Sequence, residues 1–197
     1  MIELFAATGI LIVAAITPGP NNVFVMTAAI QGGVLHAFRT MSAIIVGSLI
    51  LLVLVRLGLD SVSQHVPLFT STVTLFGSIY LGWMGCVLIK PRLKPAKSLV
   101  SGPHKSYLGL SLFQLLNPKG WVLVSVFLAA SEQAQLTVLV TILIVVTFGC
   151  LSVWALAGLA LSRLYETSRG RLWIDRLMGT ALIIFSVLLA MQSVFHS

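Results

Sequence analysis

Charged residues are scarce in this sequence, and acidic residues are the scarcest of them. Only 9% of the 197 residues are charged and 58% are hydrophobic, whereas about one quarter of the residues in an average soluble domain are charged. The mean hydropathy, +1.05, is correspondingly high. This composition excludes an ordinary soluble protein and predicts a polytopic membrane protein.

Cysteine and histidine are too few and too scattered to indicate a metal or redox site. The two cysteines, Cys86 and Cys150, lie in apolar runs and form no CxxC pair, which favours small buried hydrophobic residues. The four histidines fall outside these runs and share no ligand spacing. Paired carboxylates and the GxSxG, HExxH and phosphate-loop motifs are missing as well. The sequence therefore predicts no enzyme, no metal site and no cofactor.

Six apolar runs are long enough to cross about 30 Å of hydrocarbon as helices. They predict an all-α fold of six transmembrane helices. The runs are 4–30, 41–59, 67–89, 107–130, 136–161 and 177–195.

Lysine and arginine residues mark the cytoplasmic side of short loops. Ten of the twelve lie in the first, third and fifth connections, against Arg56 alone in the even connections and tails. This bias predicts an N-out, C-out topology and explains the net charge of +7 without a nucleic-acid partner. The ten are Arg39, Lys90, Arg92, Lys94, Lys97, Lys105, Arg163, Arg169, Arg171 and Arg176.

Three runs followed by three runs, with a proline break in the first of each set, predict two inverted three-helix repeats. Repeat one covers about residues 1–90, a basic cytoplasmic linker covers 91–105, and repeat two covers about 106–197. The chain is thus expected to form a single membrane domain.

The two proline breaks are the candidate site. The first is Thr17-Pro18-Gly19-Pro20-Asn21-Asn22 and the second is Asn117-Pro118-Lys119. At ~1.5 Å per residue, both fall near the bilayer midplane. Irregular backbone at that depth must face protein or a wet cavity, and half-helix ends with carboxamides suit a zwitterionic amino acid. The alternative is that both breaks are structural kinks with satisfied amides.

Lys119 is the one ionisable residue that the pattern places deep within a run. Inserting such a charge costs ~3 kcal/mol or more, which favours a role in substrate or proton handling. The alternative is that its stem reaches the cytoplasmic headgroups. The five acids, Glu3, Asp60, Glu132, Glu166 and Asp175, lie in tails, connections or run ends. No buried carboxylate relay is therefore predicted.

These features together resemble the LysE/RhtB family of amino-acid exporters, and the likeness covers essentially the whole chain. It rests on the two proline motifs, on Gly32-Gly33 and Arg39, and on 80–85 (YLGWMG). The fifth run, with Phe148-Gly149 and 154–158 (WALAG), looks most like the branch that exports cysteine and O-acetylserine. Many threonine and homoserine exporters have an aspartate there, and this chain has none.

The resemblance implies a secondary carrier of the bacterial inner membrane. It would export small amino acids or their derivatives from the cytoplasm by alternating access, coupled to the proton gradient. The expected partners are the amino-acid substrate and the lipid bilayer, and self-association into a homo-oligomer is left open. By position, the substrate path would be lined by Pro18, Gly19, Pro20, Asn21, Asn22, Asn117, Pro118 and Lys119.

A second hypothesis comes from a different class of protein. In it the chain is a non-transporting membrane subunit or assembly factor, and the proline breaks serve only to shape helix packing. Transport of labelled amino acids by the purified chain would separate the two hypotheses.

Overall fold

Every regular element in the part of the chain that the structure describes is helical. The computed structural model describes residues 2–59, 75, 78, 79, 82–90, 106–129 and 134–195. Residues 82–89 are mainly helical, and the other elements are α1 (Ile2–Ile16), α2 (Pro20–Leu54), a π-helical turn (Val55–Leu59), α3 (Tyr107–Phe113), a 3-10 turn (Gln114–Leu116), α4 (Pro118–Ala129), α5 (Leu136–Glu166) and α6 (Ser168–Phe195).

Two of these helices are long and apolar enough to cross a membrane, namely Pro20–Gly58 and Leu136–Glu166. The bent pair formed by Tyr107–Leu116 and Lys119–Ala129 makes a third if it counts as one span, and the apolar helix Leu4–Ile16 is shorter. An all-helical membrane protein is consistent with these elements. The six spans, the inverted repeats and the N-out, C-out topology stay predictions, and most of the run 67–89 lies outside the described residues.

The predicted break in the first run is present. Helix α1 ends at Ile16 and α2 begins at Pro20, so Thr17, Pro18 and Gly19 are non-helical. Gly19 is extended, with φ −169° and ψ 179°, and Pro20 occupies the first turn of α2. Proline is suited to that position because the first turn of a helix has no partner for its N–H groups. Sequence chemistry alone therefore fixes where α2 starts.

The predicted break in the fourth run is also present. Asn117 is extended, with φ −93° and ψ 99°, and the helical parts before and after it are bent by 78°. Proline at 118 opens α4, and a residue before proline is biased toward extended backbone. The Asn117 carbonyl then accepts from the Gly120 and Trp121 N–H groups at 2.9 and 3.3 Å.

Helix α2 contains a third interruption, at Gly33, where the sequence predicted a connection. Gly33 has φ 69° and ψ −160°, a backbone region that is open essentially to glycine alone. Residues from both sides of it, Val25 and Ile44, belong to the same apolar cluster. A straight helix would separate them by about 28 Å. The chain therefore changes direction at Gly33.

The connection expected between the fifth and sixth runs, residues 163–176, is present but is only one residue long. Helix α5 continues to Glu166 and α6 begins at Ser168, so only Thr167 is non-helical. The Thr167 hydroxyl accepts from the Gly170 N–H at 3.0 Å and caps α6. Arginine is a good helix former, so the charge of this segment marks exposed helix ends instead of a loop.

The residues that flank the first break contribute to three apolar clusters among the described residues. Leu11 packs in a cluster with α2, α4 and α5. Val23 packs with residues of 82–89 and α6, while Val25 packs with α3 and α5. The first break therefore lies among packed helices, and the second break joins it there.

Candidate functional site

The two breaks touch each other through a pair of carboxamides. Asn21, just after the first break, donates from Nδ2 to Gln114 Oε1 at 3.0 Å. Gln114, just before the second break, donates from Nε2 to Asn21 Oδ1 at 2.9 Å. The Gln114 side chain is 1% exposed. This double hydrogen bond holds the start of α2 against the 3-10 turn.

Asn117 extends the same network. Its Nδ2 donates to Gln114 Oε1 at 3.3 Å, so that oxygen accepts from two amides. The Asn117 side chain is 3% exposed, and its Oδ1 has no hydrogen-bond partner among the described residues. Three neutral amides thus form one chain that ends in a buried acceptor.

Lys119 crosses from the second break to the first. Its Nζ donates to the Thr17 carbonyl at 2.9 Å and lies 3.0 Å from Thr17 Oγ1. The same atom lies 5.4 Å from the centre of the Phe185 ring. A Cβ on Gly19 would lie only 3.2 Å from it, so glycine leaves the lysine its space. These contacts place the Lys119 ammonium at the junction of the two breaks.

The carbonyl oxygens at the end of α1 are all hydrogen-bonded. The last four carbonyls of a helix have no partner within it; here Thr17 donates to two of them, and the side chains of Asn22 and Trp154 donate to the other two. The lysine cation also lies where the helix dipole is negative. The acceptors and donors are Val13 O with Thr17 N (3.2 Å), Ala14 O with Thr17 Oγ1 (2.8 Å), Ala15 O with Asn22 Nδ2 (3.2 Å), Ile16 O with Trp154 Nε1 (3.1 Å), and Thr17 O with Asn22 Nδ2 (2.6 Å).

The second break has a similar indole contact. Trp121 Nε1 donates to the Leu115 carbonyl at 2.9 Å, within the turn that precedes Asn117. At each break, therefore, a tryptophan N–H donates to a backbone carbonyl near the end of the preceding helical segment.

A cavity lies between the breaks. Its volume is about 60 Å³, room for a few waters, since one water needs about 10–15 Å³ of such space. Its lining combines several polar residues with apolar ones, as in small-molecule sites. The polar lining consists of Asn21, Asn22, Ser48, Gln114, Asn117, Lys119 and Thr147.

The structure brings the sequence-predicted residues together, but in different ways. Asn21, Asn117 and Lys119 line the cavity. Asn22 also lines it, yet its amide Nδ2 donates to the Ala15 and Thr17 carbonyls. Gly19 and Pro20 line the cavity, while Pro18 and Pro118 shape the backbone of the breaks.

Sequence reasoning missed Gln114, which is central to the network. A signal existed, because Gln114 and Asn117 are the only carboxamides in the run 107–130, and residues three apart share one helix face. The contacts of Trp154 and Phe185 had no such signal. In the described ranges, no three histidine, cysteine or acidic side chains are grouped to hold a metal ion.

Comparison with known proteins identifies relatives along the chain. Residues 12–193 match the family described as LysE type translocator. The leucine efflux protein of Enterobacter sp. (strain 638) is 26% identical over 165 residues, 78% of this chain and 78% of the relative. The threonine efflux protein of Salmonella typhimurium is 28% identical over 126 residues, 60% and 61% respectively.

A third relative is the cysteine/O-acetylserine efflux protein of Klebsiella pneumoniae subsp. pneumoniae. It is 24% identical over 160 residues, 78% of this chain and 81% of the relative. No solved structure matches the chain at a significant level.

Proposed function

The chain belongs to the LysE type translocator family, and on that premise we propose that it is a secondary transporter that exports small amino acids or their derivatives from the cytoplasm. The observation that carries this proposal is the junction of the two breaks. Lys119 from one break binds Thr17 in the other, beside a cavity lined by carboxamides. Broken helices meeting at such a cavity are typical of transporter binding sites.

The substrate class is proposed from the relatives and from the chemistry of the cavity. The relatives are named for the efflux of leucine, threonine and cysteine/O-acetylserine. Each of these amino acids has a neutral side chain and a zwitterionic head group. The described lining has one cation, several amides and apolar residues. It suits a head group with both charges and a neutral side chain. The pattern in the fifth run favours cysteine or O-acetylserine among these substrates.

We further propose alternating access around the junction, with repeats of about 1–90 and 106–197 moving against each other. The basic connections would lie in the cytoplasm and both termini outside, in the inner membrane of a bacterium. The cavity of about 60 Å³ is too small for a whole amino acid alongside its waters. Substrate entry therefore requires the breaks to separate, which is what alternating access provides.

Proton coupling is proposed to involve Lys119. The acids lie outside the predicted spans, whereas Lys119 lies at the junction. A lysine that changes its protonation would also change its bond to Thr17, which links proton movement to separation of the breaks.

The experiment is transport by the purified chain in proteoliposomes. Labelled leucine, threonine, cysteine and O-acetylserine are offered with and without an imposed proton gradient. We expect gradient-dependent movement of at least one of them. Liposomes that contain the Lys119→Met variant at equal protein content serve as the matched control.

Absence of transport would refute this proposal. If none of the common amino acids or their derivatives moves, while the reconstituted protein is folded, the chain is a non-transporting subunit whose breaks only shape packing. Profiling of metabolites in the medium on overexpression widens the same search beyond the four labelled compounds.

A further inference from the structure

The amide chain at the junction has a direction. Gln114 Nε2 donates to Asn21 Oδ1, so Gln114 Oε1 is an acceptor. This oxygen accepts hydrogen bonds from Nδ2 of Asn21 and from Nδ2 of Asn117. Because Asn117 donates to this oxygen, its own Oδ1 is turned away from the network. Each member of the chain thereby fixes the orientation of the next.

Asn117 Oδ1 is therefore an acceptor without a donor. The residue is 3% exposed and lines the cavity, and no described group donates to this oxygen. Leaving a buried acceptor unpaired costs free energy. A ligand that brings an N–H donor into the cavity would remove that cost.

Lys119 supplies the complementary group on the same cavity. An ammonium offers three donors and no acceptor, and Thr17 O and Oγ1 lie within hydrogen-bond distance of Nζ. A carboxylate attracts such a cation more strongly than a neutral carbonyl does. The cavity thus has one cationic donor and one unpaired neutral acceptor.

We propose that the cavity binds the head group of an α-amino acid in one fixed orientation, with the α-ammonium donating to Asn117 Oδ1 and the carboxylate accepting from Lys119 Nζ. This inference rests on the proposed function and adds the identity of the two subsites. The carboxylate would draw Lys119 away from Thr17, leaving Asn22 as the remaining side-chain donor to that carbonyl. Substrate binding would then weaken one of the links between the breaks.

The test compares ligands that lack one charge with variants that lack one subsite. The leucine series is L-leucine, 4-methylpentanoate without the ammonium, and 3-methylbutylamine without the carboxylate. The threonine series is L-threonine, 3-hydroxybutanoate and 1-amino-2-propanol. Dissociation constants are obtained from the ligand-induced rise in Tm of the purified chain in detergent. The proteins are wild type, Asn117→Ala and Lys119→Met.

For wild type, removing either charge from the ligand should weaken binding by about 10- to 100-fold, as expected for charge-assisted hydrogen bonds. Asn117→Ala should abolish the effect of removing the ammonium and preserve the effect of removing the carboxylate. Lys119→Met should do the reverse. The opposite pairing would mean that Asn117 presents its NH2 to the carboxylate, and it would overturn the orientation.

Two control variants make the result specific. Lys90→Met changes an exposed lysine and should alter none of the constants. Asn22→Ala removes donors to the end of α1 and should weaken all ligands of a series by a common factor. Equal loss for all ligands in Asn117→Ala would assign that residue to structure and refute the subsite. Failure of wild type to bind any of L-leucine, L-threonine, L-cysteine and O-acetyl-L-serine would instead refute the proposed function, and the subsites with it.

Discussion

Asn21 and Gln114 exchange two hydrogen bonds, at 3.0 and 2.9 Å, although 93 positions separate them in the sequence. Asn21 follows the first break, and Gln114 precedes the second. Lys119, after the second break, donates to Thr17, the first residue of the first break. The two breaks are therefore joined twice, each time between a residue that follows one break and a residue just before or at the start of the other.

The Asn21–Gln114 pair should be energetically coupled. Gln114→Leu leaves two amides facing an apolar side chain, and we expect the free energy of unfolding to fall by about 1–3 kcal/mol. The double variant with Asn21→Ala should lose less than the sum of the two single variants, by about 1 kcal/mol. Unfolding by sodium dodecyl sulfate in mixed micelles measures all three.

A hydroxyl bonded only within its own helix provides the control for this cycle. Ser152 Oγ donates to the Phe148 carbonyl at 2.7 Å, so Ser152→Ala combined with Gln114→Leu should be additive. Additive losses for Asn21 and Gln114 as well would show that their contact contributes no stability.

Lys119→Arg should impair export by at least about tenfold, the scale of a misplaced reacting group. The guanidinium is planar and larger than the ammonium, while Gly19 and Phe185 closely surround Nζ. Initial rates in proteoliposomes over a range of external pH give the measurement. Export at the wild-type rate across that range would mean that Lys119 only reaches the headgroups and is not the coupling residue.

Gly19→Ala tests whether the space around Lys119 Nζ is required for export. The new Cβ would lie 3.2 Å from Lys119 Nζ and 3.5 Å from Cδ, and the extended backbone of Gly19 accepts alanine without strain. We expect export to fall by up to about tenfold, with protein level in the membrane unchanged. Gly9→Ala is the matched control, because nothing lies within 4 Å of its Cβ.

Unchanged export in the Gly19 variant would show that the lysine tolerates displacement from Thr17. A fall in protein level that matches the fall in export would instead assign Gly19 to folding.

The topology makes a prediction independent of the site. Reporter fusions after Lys97, in the connection 91–105, should report the cytoplasm, and fusions after Ser197 should report the outside. Both expectations follow from the distribution of lysine and arginine. A fusion at Lys97 that reports the outside, or one at Ser197 that reports the cytoplasm, would end the inverted-repeat interpretation.

The positions of the breaks could be predicted because their causes are local. Pro20 and Pro118 each begin a helix, as proline favours the first helical position, and Gly33 has a backbone conformation that other residues avoid. The length of the connection 163–176 was overestimated, because its charged residues resemble those of a loop. Arginine-rich helix ends have the same composition as a loop, and only the cap at Thr167 distinguishes them.

The network of the site could be predicted only in part. The motifs supplied Asn21, Asn117 and Lys119, but the partners of each depend on how the two broken helices are placed in depth and rotation. A shift of one residue in either helix would turn Gln114 away from Asn21. Such registers are set by tertiary packing, which a single sequence does not encode locally.

The two indole contacts give the molecule its own optical reporters. Trp154 binds the last carbonyl of α1, and Trp121 binds the turn before Asn117, while Trp83 and Trp173 are exposed to the surroundings. The emission of an indole shifts when its N–H loses a fixed partner. Phenylalanine at positions 83 and 173 would leave one tryptophan at each break. Separation of the breaks could then be followed in real time without an added label.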